Sequence, residues 1–140
     1  MSQPIDDFLK TFLAAWNAHD VHAVADHYAP NYEEIDVART ESVQGAESVR
    51  RILAYYLRAF PDLNITLDDR LIDGNRVALY WTWTGTHRGT FMHIPPTGHS
   101  VKVRGASLIV LENGQIRRAL RIWDLAGLLR DLRLLPELQA

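Results

Sequence analysis

The hydrophobic pattern of the chain changes period at Pro61. Before that residue apolar side chains recur every three or four positions, and after it they recur at every second position. A period near 3.6 means helices with one apolar face, and a period of two means strands with one apolar face. Neither kind of face is stable in water alone, so the helices of the first part must cover the sheet of the second. An α+β fold is expected.

In the helical part, Ile5, Phe8, Leu9, Phe12, Leu13 and Trp16 share one broad face of a first helix. Pro4 suits its first turn, and Asp6 and Asp7 suit its positive end. His19-Asp20 interrupts the pattern. Asp20 is placed to cap a short second helix that ends near Tyr28, before Pro30. An edge strand is expected over Asn31 to Val37, then a polar loop to Gly45. A third helix is expected from Ala46 to Phe60, with Val49, Ile52, Leu53, Tyr56 and Phe60 on one side and Arg50, Arg51 and Arg58 largely on the other. Pro61 stops it.

In the strand part, Leu63, Ile65 and Leu67 alternate with Asn64, Thr66 and Asp68. Asp73-Gly74-Asn75 reads as a hairpin turn, and Arg76 to Thr86 and Ser100 to Leu111 as long strands. Asn113-Gly114 signals a type I′ turn into a last strand, which runs to Asp124 and a short helix beginning LAGLL. Arg88 to His99, with Gly89, Pro95, Pro96 and Gly98, reads as an ordered loop. Its apolar Phe91, Met92 and Ile94 predict an apolar cavity beneath it, with Phe91 and Met92 as a lid. The expected architecture is a curved antiparallel sheet wrapped around N-terminal helices. It forms a cone with an apolar pocket, in a single domain over residues 1–140.

Several functions are disfavoured by composition. A net charge of −2 supplies no electrostatic drive toward nucleic acid or an anionic membrane. The chain has no cysteine, which excludes disulfides, thiolate nucleophiles and cysteine-ligated metal. His93 and His99 flank the loop without a metal-ligand spacing, so no metal and no cofactor are expected. The only lysines, Lys10 and Lys102, lie on polar faces, which argues against an imine mechanism. The N-terminal MSQPIDDFLK is acidic where a secretory signal is basic, and a cytoplasmic protein is expected.

The stretches WNAHD (16–20), AFPDL (59–63), GTHRGTFMHIPPTG (85–98) and IWDLAGLL (122–129) resemble those of SnoaL-like polyketide cyclases, or ester cyclases, of the nuclear transport factor 2-like superfamily. The resemblance covers nearly the whole chain in order. It implies an α+β cone around an apolar pocket, a homodimer formed through the outer sheet face, and an intramolecular aldol ring closure that needs no cofactor. It also implies a catalytic aspartate at the position that Asp124 matches.

Asp124 has two possible roles. As a residue between a strand end and LAGLL it is a preferred helix cap, and as a cavity residue desolvated by Trp123 and Leu125 it is a general base. Strand parity ties an inward Asp124 to inward Ile122, Leu120 and Ile116 and to outward Arg117 and Arg121. Arg118 shares the inward parity, so it reaches the cavity mouth or a bulge shifts the register. His87 falls on the apolar parity of Val77, Leu79, Trp81 and Trp83, and either donates a proton or fixes the proline-rich loop. Trp16, Tyr32, Tyr56, Phe60, Trp83 and Phe91 are candidates for an aromatic cavity wall, with Ser107 a polar contact. Asp62 is expected to make a turn or cap interaction.

The leading expectation is a cyclase or lyase in which Asp124 removes a proton from carbon activated by carbonyl groups and His87 protonates the oxygen. The partner would be a hydrophobic small molecule. One alternative is an epoxide hydrolase or isomerase, which needs a cluster of carboxylates with an arginine. The other is a dimeric module that binds a small molecule without catalysis.

Overall fold

A computed structural model describes residues 3–139. Its elements, in order, are α1 (Gln3–Asn17), α2 (Val21–Asp26), β1 (Tyr28–Asp36), β2 (Val43–Gln44), α3 (Ala46–Ala59), β3 (Asn64–Asp73), β4 (Arg76–Thr86), β5 (Ser100–Glu112), β6 (Gln115–Trp123) and α4 (Leu125–Asp131). The strands form one sheet in the order β2-β1-β6-β5-β4-β3. Strands β3 to β6 are an antiparallel meander, while β1 returns parallel to β6. Helices therefore cover a mixed, mostly antiparallel sheet, which is the α+β arrangement the change of period demands.

Local chemistry sets the boundaries. The Asp20 carboxylate accepts the Ala23 N–H at 3.0 Å and starts α2. Asn113 and Gly114 have φ of 53° and 76°, the pair of positive values that a type I′ turn needs. The Asp62 carboxylate receives both the backbone N–H and the hydroxyl of Thr86 at 2.7 Å, tying the end of α3 to the end of β4. The hydroxyl and backbone bonds from Thr86 hold the Asp62 pKa below the usual carboxylate range against a modest opposing effect of burial.

Three expectations are corrected. First, β1 begins at Tyr28, and it is an inner strand rather than an edge, with the two-residue β2 outside it. Pro30 is tolerated inside β1 because the pairing with β6 is interrupted between Tyr28 and Glu33, where a missing N–H costs no ladder bond. Second, no residue of the loop between β4 and β5 lines the cavity between the helices and the sheet. Arg88 and Gly89 donate to the Ala59 carbonyl at 2.9 and 3.1 Å, and Phe91 packs beneath, its ring centre 5.6 Å from that of Tyr55 and 5.3 Å from those of both Tyr56 and Phe60. A side chain at Gly89 would run into the Arg58 carbonyl. Met92 stays exposed.

The third correction decides the site. Val110 pairs with Arg118, but Leu111 pairs with Ile116, so Arg117 is an extra residue in β6. This bulge reverses the parity of the rest of the strand. Ile116 is buried as expected, but beyond the bulge Leu120 and Ile122 face outward, and Ala119 and Arg121 line the interior. Arg118 is exposed.

Candidate active site

A cavity of about 100 Å³ lies between the helices and the concave side of the sheet. Leu9, Phe12, Leu13 and Trp16 of α1 close it on one side, with Ile52 and Tyr56 of α3. Ile65 and Leu67 of β3 and Leu79, Trp81 and Trp83 of β4 form an apolar wall. Toward β5, β6 and β1 the lining becomes polar, through Ser107, Arg121, Tyr28 and Tyr32.

Behind this polar end stand two carboxylates. Glu34 and Asp36 are buried, at 5% and 4% exposure, on the same parity of β1 as Tyr32. The Tyr32 hydroxyl donates to Glu34 Oε1 at 2.6 Å. Asp36 Oδ1 accepts from Trp123 Nε1 at 2.8 Å and from the Ala38 N–H at 2.9 Å. The other oxygen of each carboxylate faces Arg121, whose Nη1 lies 4.0 Å from Glu34 Oε2 and 3.9 Å from Asp36 Oδ2. The guanidinium also lies 5.5 Å from the Trp81 ring centre, in cation–π range. Trp81 Nε1 in turn donates to the Ser107 hydroxyl at 3.0 Å.

The electrostatics follow from burial and from this charge triad. Burial works against the Arg121 charge, but Glu34, Tyr56, Asp36 and Tyr28 outweigh it and push its pKa up, so it stays cationic. Burial pushes the phenol pKa of Tyr28 and Tyr32 up, and Glu34 adds to both. The Tyr56 pKa is raised mainly by burial. All three phenols therefore remain protonated hydrogen-bond donors at neutral pH. Arg121 makes no hydrogen bond within 3.5 Å to the described residues, so its N–H groups are available to a ligand in the cavity.

Trp16, Tyr32, Tyr56, Trp83 and Ser107, all expected at the site, line this cavity. Phe60 and Phe91 do not. Phe60 is fully buried against Trp83 at 5.0 Å and, with Phe91, plugs the far end of the core.

Asp124 is not brought to the cavity. Its Oδ1 accepts the Gly127 N–H at 2.8 Å, Arg130 lies 3.7 Å from Oδ2, and its side chain is 52% exposed. It is the cap of α4 and does not line the cavity. His87 is also elsewhere. It is fully buried under Phe60, with Nδ1 3.0 Å from the Thr97 hydroxyl and accepting the Thr97 N–H at 3.2 Å. It contacts the proline-rich loop and does not line the cavity.

Glu34, Asp36, Tyr28 and Arg121 were missed by sequence reasoning. The signal was the parity of Tyr32, Glu34 and Asp36, which share a face with an expected cavity residue. It was obscured because β1 is inverted, with apolar Ile35 and Val37 facing outward at 62% and 54% exposure. No cluster of three metal-ligating side chains occurs among the described residues. Nor is any helix among them long and apolar enough to cross a membrane.

Comparison with known proteins places this geometry in context. A family model described as SnoaL-like polyketide cyclase matches residues 6–132. AclR from Streptomyces galilaeus, provisionally a hydroxylase, is 27% identical with a TM-score of 0.86, over 99% of this chain and 90% of its own. TsrD from Streptomyces laurentii is 25% identical with a TM-score of 0.86, over 96% and 98% of the two chains. IdmH from Streptomyces antibioticus, provisionally a polyketide cyclase, is 24% identical with a TM-score of 0.79, over 94% and 99%, and speaks for the fold. No curated protein matches the chain.

Proposed function

The chain belongs to the SnoaL-like polyketide cyclase family, and from that premise we propose that it closes a ring in a hydrophobic carbonyl compound, such as a polyketide ester, by cofactor-free intramolecular aldol addition. The observation that carries this reading is a guanidinium with free donors, Arg121, set in the wall of an apolar cavity beside two buried carboxylates. Glu34 takes over the role of base expected of Asp124. Its Oε1 is held by Tyr32, and its Oε2 faces the cavity residue Arg121.

The steps use only side chains of this chain. Glu34 acts through the Tyr32 hydroxyl, which lines the cavity and donates to its Oε1: as the Tyr32 oxygen removes a proton from carbon activated by an adjacent carbonyl, its own proton passes to Glu34. Arg121 and the Tyr28 and Tyr56 hydroxyls stabilise the enolate oxygen in a site where water does not weaken the interaction. The enolate carbon attacks a second carbonyl carbon of the same molecule, and the proton held by Glu34 returns through the Tyr32 hydroxyl to the new alkoxide. The aromatic wall keeps the chain folded, which lowers the entropic barrier to closure.

The test is exchange of the α-protons of a ketone bound in the cavity, followed by NMR in D2O. Wild-type protein should catalyse exchange. Glu34→Gln should slow it by about 100-fold or more, and Arg121→Lys should slow it by losing the planar fork while keeping the charge. Exchange at the wild-type rate in a folded Glu34→Gln protein rules out Glu34 as the base.

One observation favours a second reading. Two carboxylates flanking an arginine are the cluster that epoxide opening requires, one activating water and the other balancing the charge. In that case a cyclic epoxide is converted to a diol, and Asp36→Asn abolishes the activity as fully as Glu34→Gln.

A further inference from the structure

We infer that Trp81 is the residue that aims Arg121: its indole fixes the plane of the guanidinium, and with it the direction in which the free N–H groups enter the cavity. The inference deepens the carbonyl reading above and rests on it for what those groups receive, the enolate oxygen. Trp81 is thus a positioning residue as well as a part of the apolar wall.

The carboxylates do not fix that plane by themselves. Both of their contacts run to the same nitrogen, Nη1, at 4.0 and 3.9 Å. Those separations exceed hydrogen-bond range, so the attraction is one between charges and depends little on orientation. It draws one corner of the fork toward Glu34 and Asp36 and leaves rotation about that corner open. A planar cation needs a contact on its face to stop such a rotation. The Trp81 ring provides it, with its centre 5.5 Å from Arg121 Cζ. Trp81 is buried, and a cation–π contact is strongest where water is excluded.

Two residues of β5 place the ring there. Trp81 stands on β4 and Arg121 on β6, with β5 between them, where Gly105 pairs with Trp81 and Ser107 pairs with Arg121. The indole must therefore cross β5 to reach the guanidinium. Gly105 leaves the way open: a Cβ there would run into Cζ2 and Cη2 of the Trp81 ring and into the Trp123 Cβ. Gly105 is not among the residues with positive φ, so this position needs glycine for space and not for backbone conformation. A glycine inside a strand weakens it and marks a close approach of another group, here the indole. Ser107 then sets the tilt of the ring, because its hydroxyl accepts the Trp81 Nε1–H at 3.0 Å. That bond pins the indole at the strand position opposite Arg121.

Heteronuclear NMR of the nitrogen-labelled protein tests the inference without any ligand. The Arg121 Nε–H signal is the one that disappears in Arg121→Lys. In the wild-type chain it should be rigid on the picosecond-to-nanosecond timescale and displaced by the indole ring current from the signals of the exposed Arg51, Arg58 and Arg88. Nuclear Overhauser effects should link the Arg121 side chain to the Trp81 ring. Gly105→Ala displaces the ring while keeping Trp81, Arg121, Glu34 and Asp36, and Ser107→Ala, which removes only the pin, serves if the first variant does not fold. In either variant the signal should return toward those of the exposed arginines and lose its rigidity. Exchange of the methyl protons of acetone in D2O gives the second readout. Its kcat should fall by about tenfold or more with KM nearly unchanged, since the charge stays in the site and only its aim is lost. Absence of the Overhauser contacts in the wild-type protein, or an unmoved signal in a folded variant, overturns the inference. So does a kcat that stays at the wild-type value while the signal moves. Failure of the carbonyl reading looks different: the Arg121 signal behaves as described, but the wild-type protein exchanges no acetone protons.

Discussion

Asp124 Oδ1 is occupied by the Gly127 N–H and Oδ2 faces Arg130, so this carboxylate is committed to α4. The missing side chain at Gly127 makes room for it, since a Cβ there would meet the Asp124 carboxylate. Asp124→Ala should cost about 0.5–2 kcal/mol in urea denaturation, and Asp124→Asn much less, because Asn caps nearly as well. Turnover should survive both changes. A loss on the order of 100-fold in folded Asp124→Asn protein would return the general-base role to Asp124. His87 makes a second prediction at this scale. Burial lowers its pKa below the usual 6.5, with a partial opposing contribution from the Gly89 backbone and a further lowering by His99. Between that lowered value and 6.5 the unfolded chain binds a proton that the folded chain refuses. Stability should therefore be complete above this window and fall as the pH drops through it. Protonation would also set an N–H at Nδ1 against the Thr97 N–H, which loosens the loop. Denaturation midpoints measured across the window should decline on acidification, and His87→Gln, which can still accept from Thr97, should remove that part of the decline.

The loop between β4 and β5 shows how an element can be foreseen while its purpose is misread. Gly89, Pro95, Pro96 and Gly98 mark it plainly, but nothing in the sequence says whether Phe91 covers a void or fills one. In the structure Phe91 is 3% exposed among Tyr55, Tyr56 and Phe60. Phe91→Ala should therefore cost about 3–5 kcal/mol, as expected for deleting a buried aromatic side chain, and should show as a lowered urea midpoint. A cost near zero means that the loop is not part of the core. The same contrast holds for the other elements. The helices, the hairpin turns and the four strands of the meander were legible, because period and turn chemistry are local. The placement of β1 beside β6 was not, since parallel pairing joins segments far apart in sequence and leaves no local pattern. The bulge at Arg117 was foreseen only as an alternative, raised by Arg118. Because one extra residue reverses every following side chain, it exchanged Asp124 for Arg121 at the site. Of the aromatic residues before that point expected at the cavity, Trp16, Tyr32, Tyr56 and Trp83 line it, whereas Phe60 and Phe91 are packed in the core.

The same reversal determines the outside of the molecule. With Arg121 turned inward, Leu120 and Ile122 join the outer face of the sheet, beside Tyr80, Lys102 and Arg104. Pairing registers align Ile35, Leu120, Leu108 and Ala78 across four strands, with Ile122, Ala106 and Tyr80 as the next rung. Of these, Ile35, Ile122, Tyr80, Leu108 and Leu120 are exposed by 62, 54, 45, 40 and 36%. A continuous apolar band of this kind on a sheet face is costly in water, and isolated domains seldom carry one. We propose a second copy of the chain as its occupant, since a closed two-fold contact would set one apolar band against another. The protein should therefore sediment as a dimer of 16.0 kDa chains at micromolar concentration. Ile122→Asp should convert it to a monomer without loss of folding, since the side chain already faces solvent within one chain and would meet its own symmetry mate, or a neighbour of it, as a like charge in the pair. The cavity lies on the opposite side of the sheet, so ligand binding should persist in that monomer. A wild-type protein that sediments only as a monomer excludes this face as a homodimer interface.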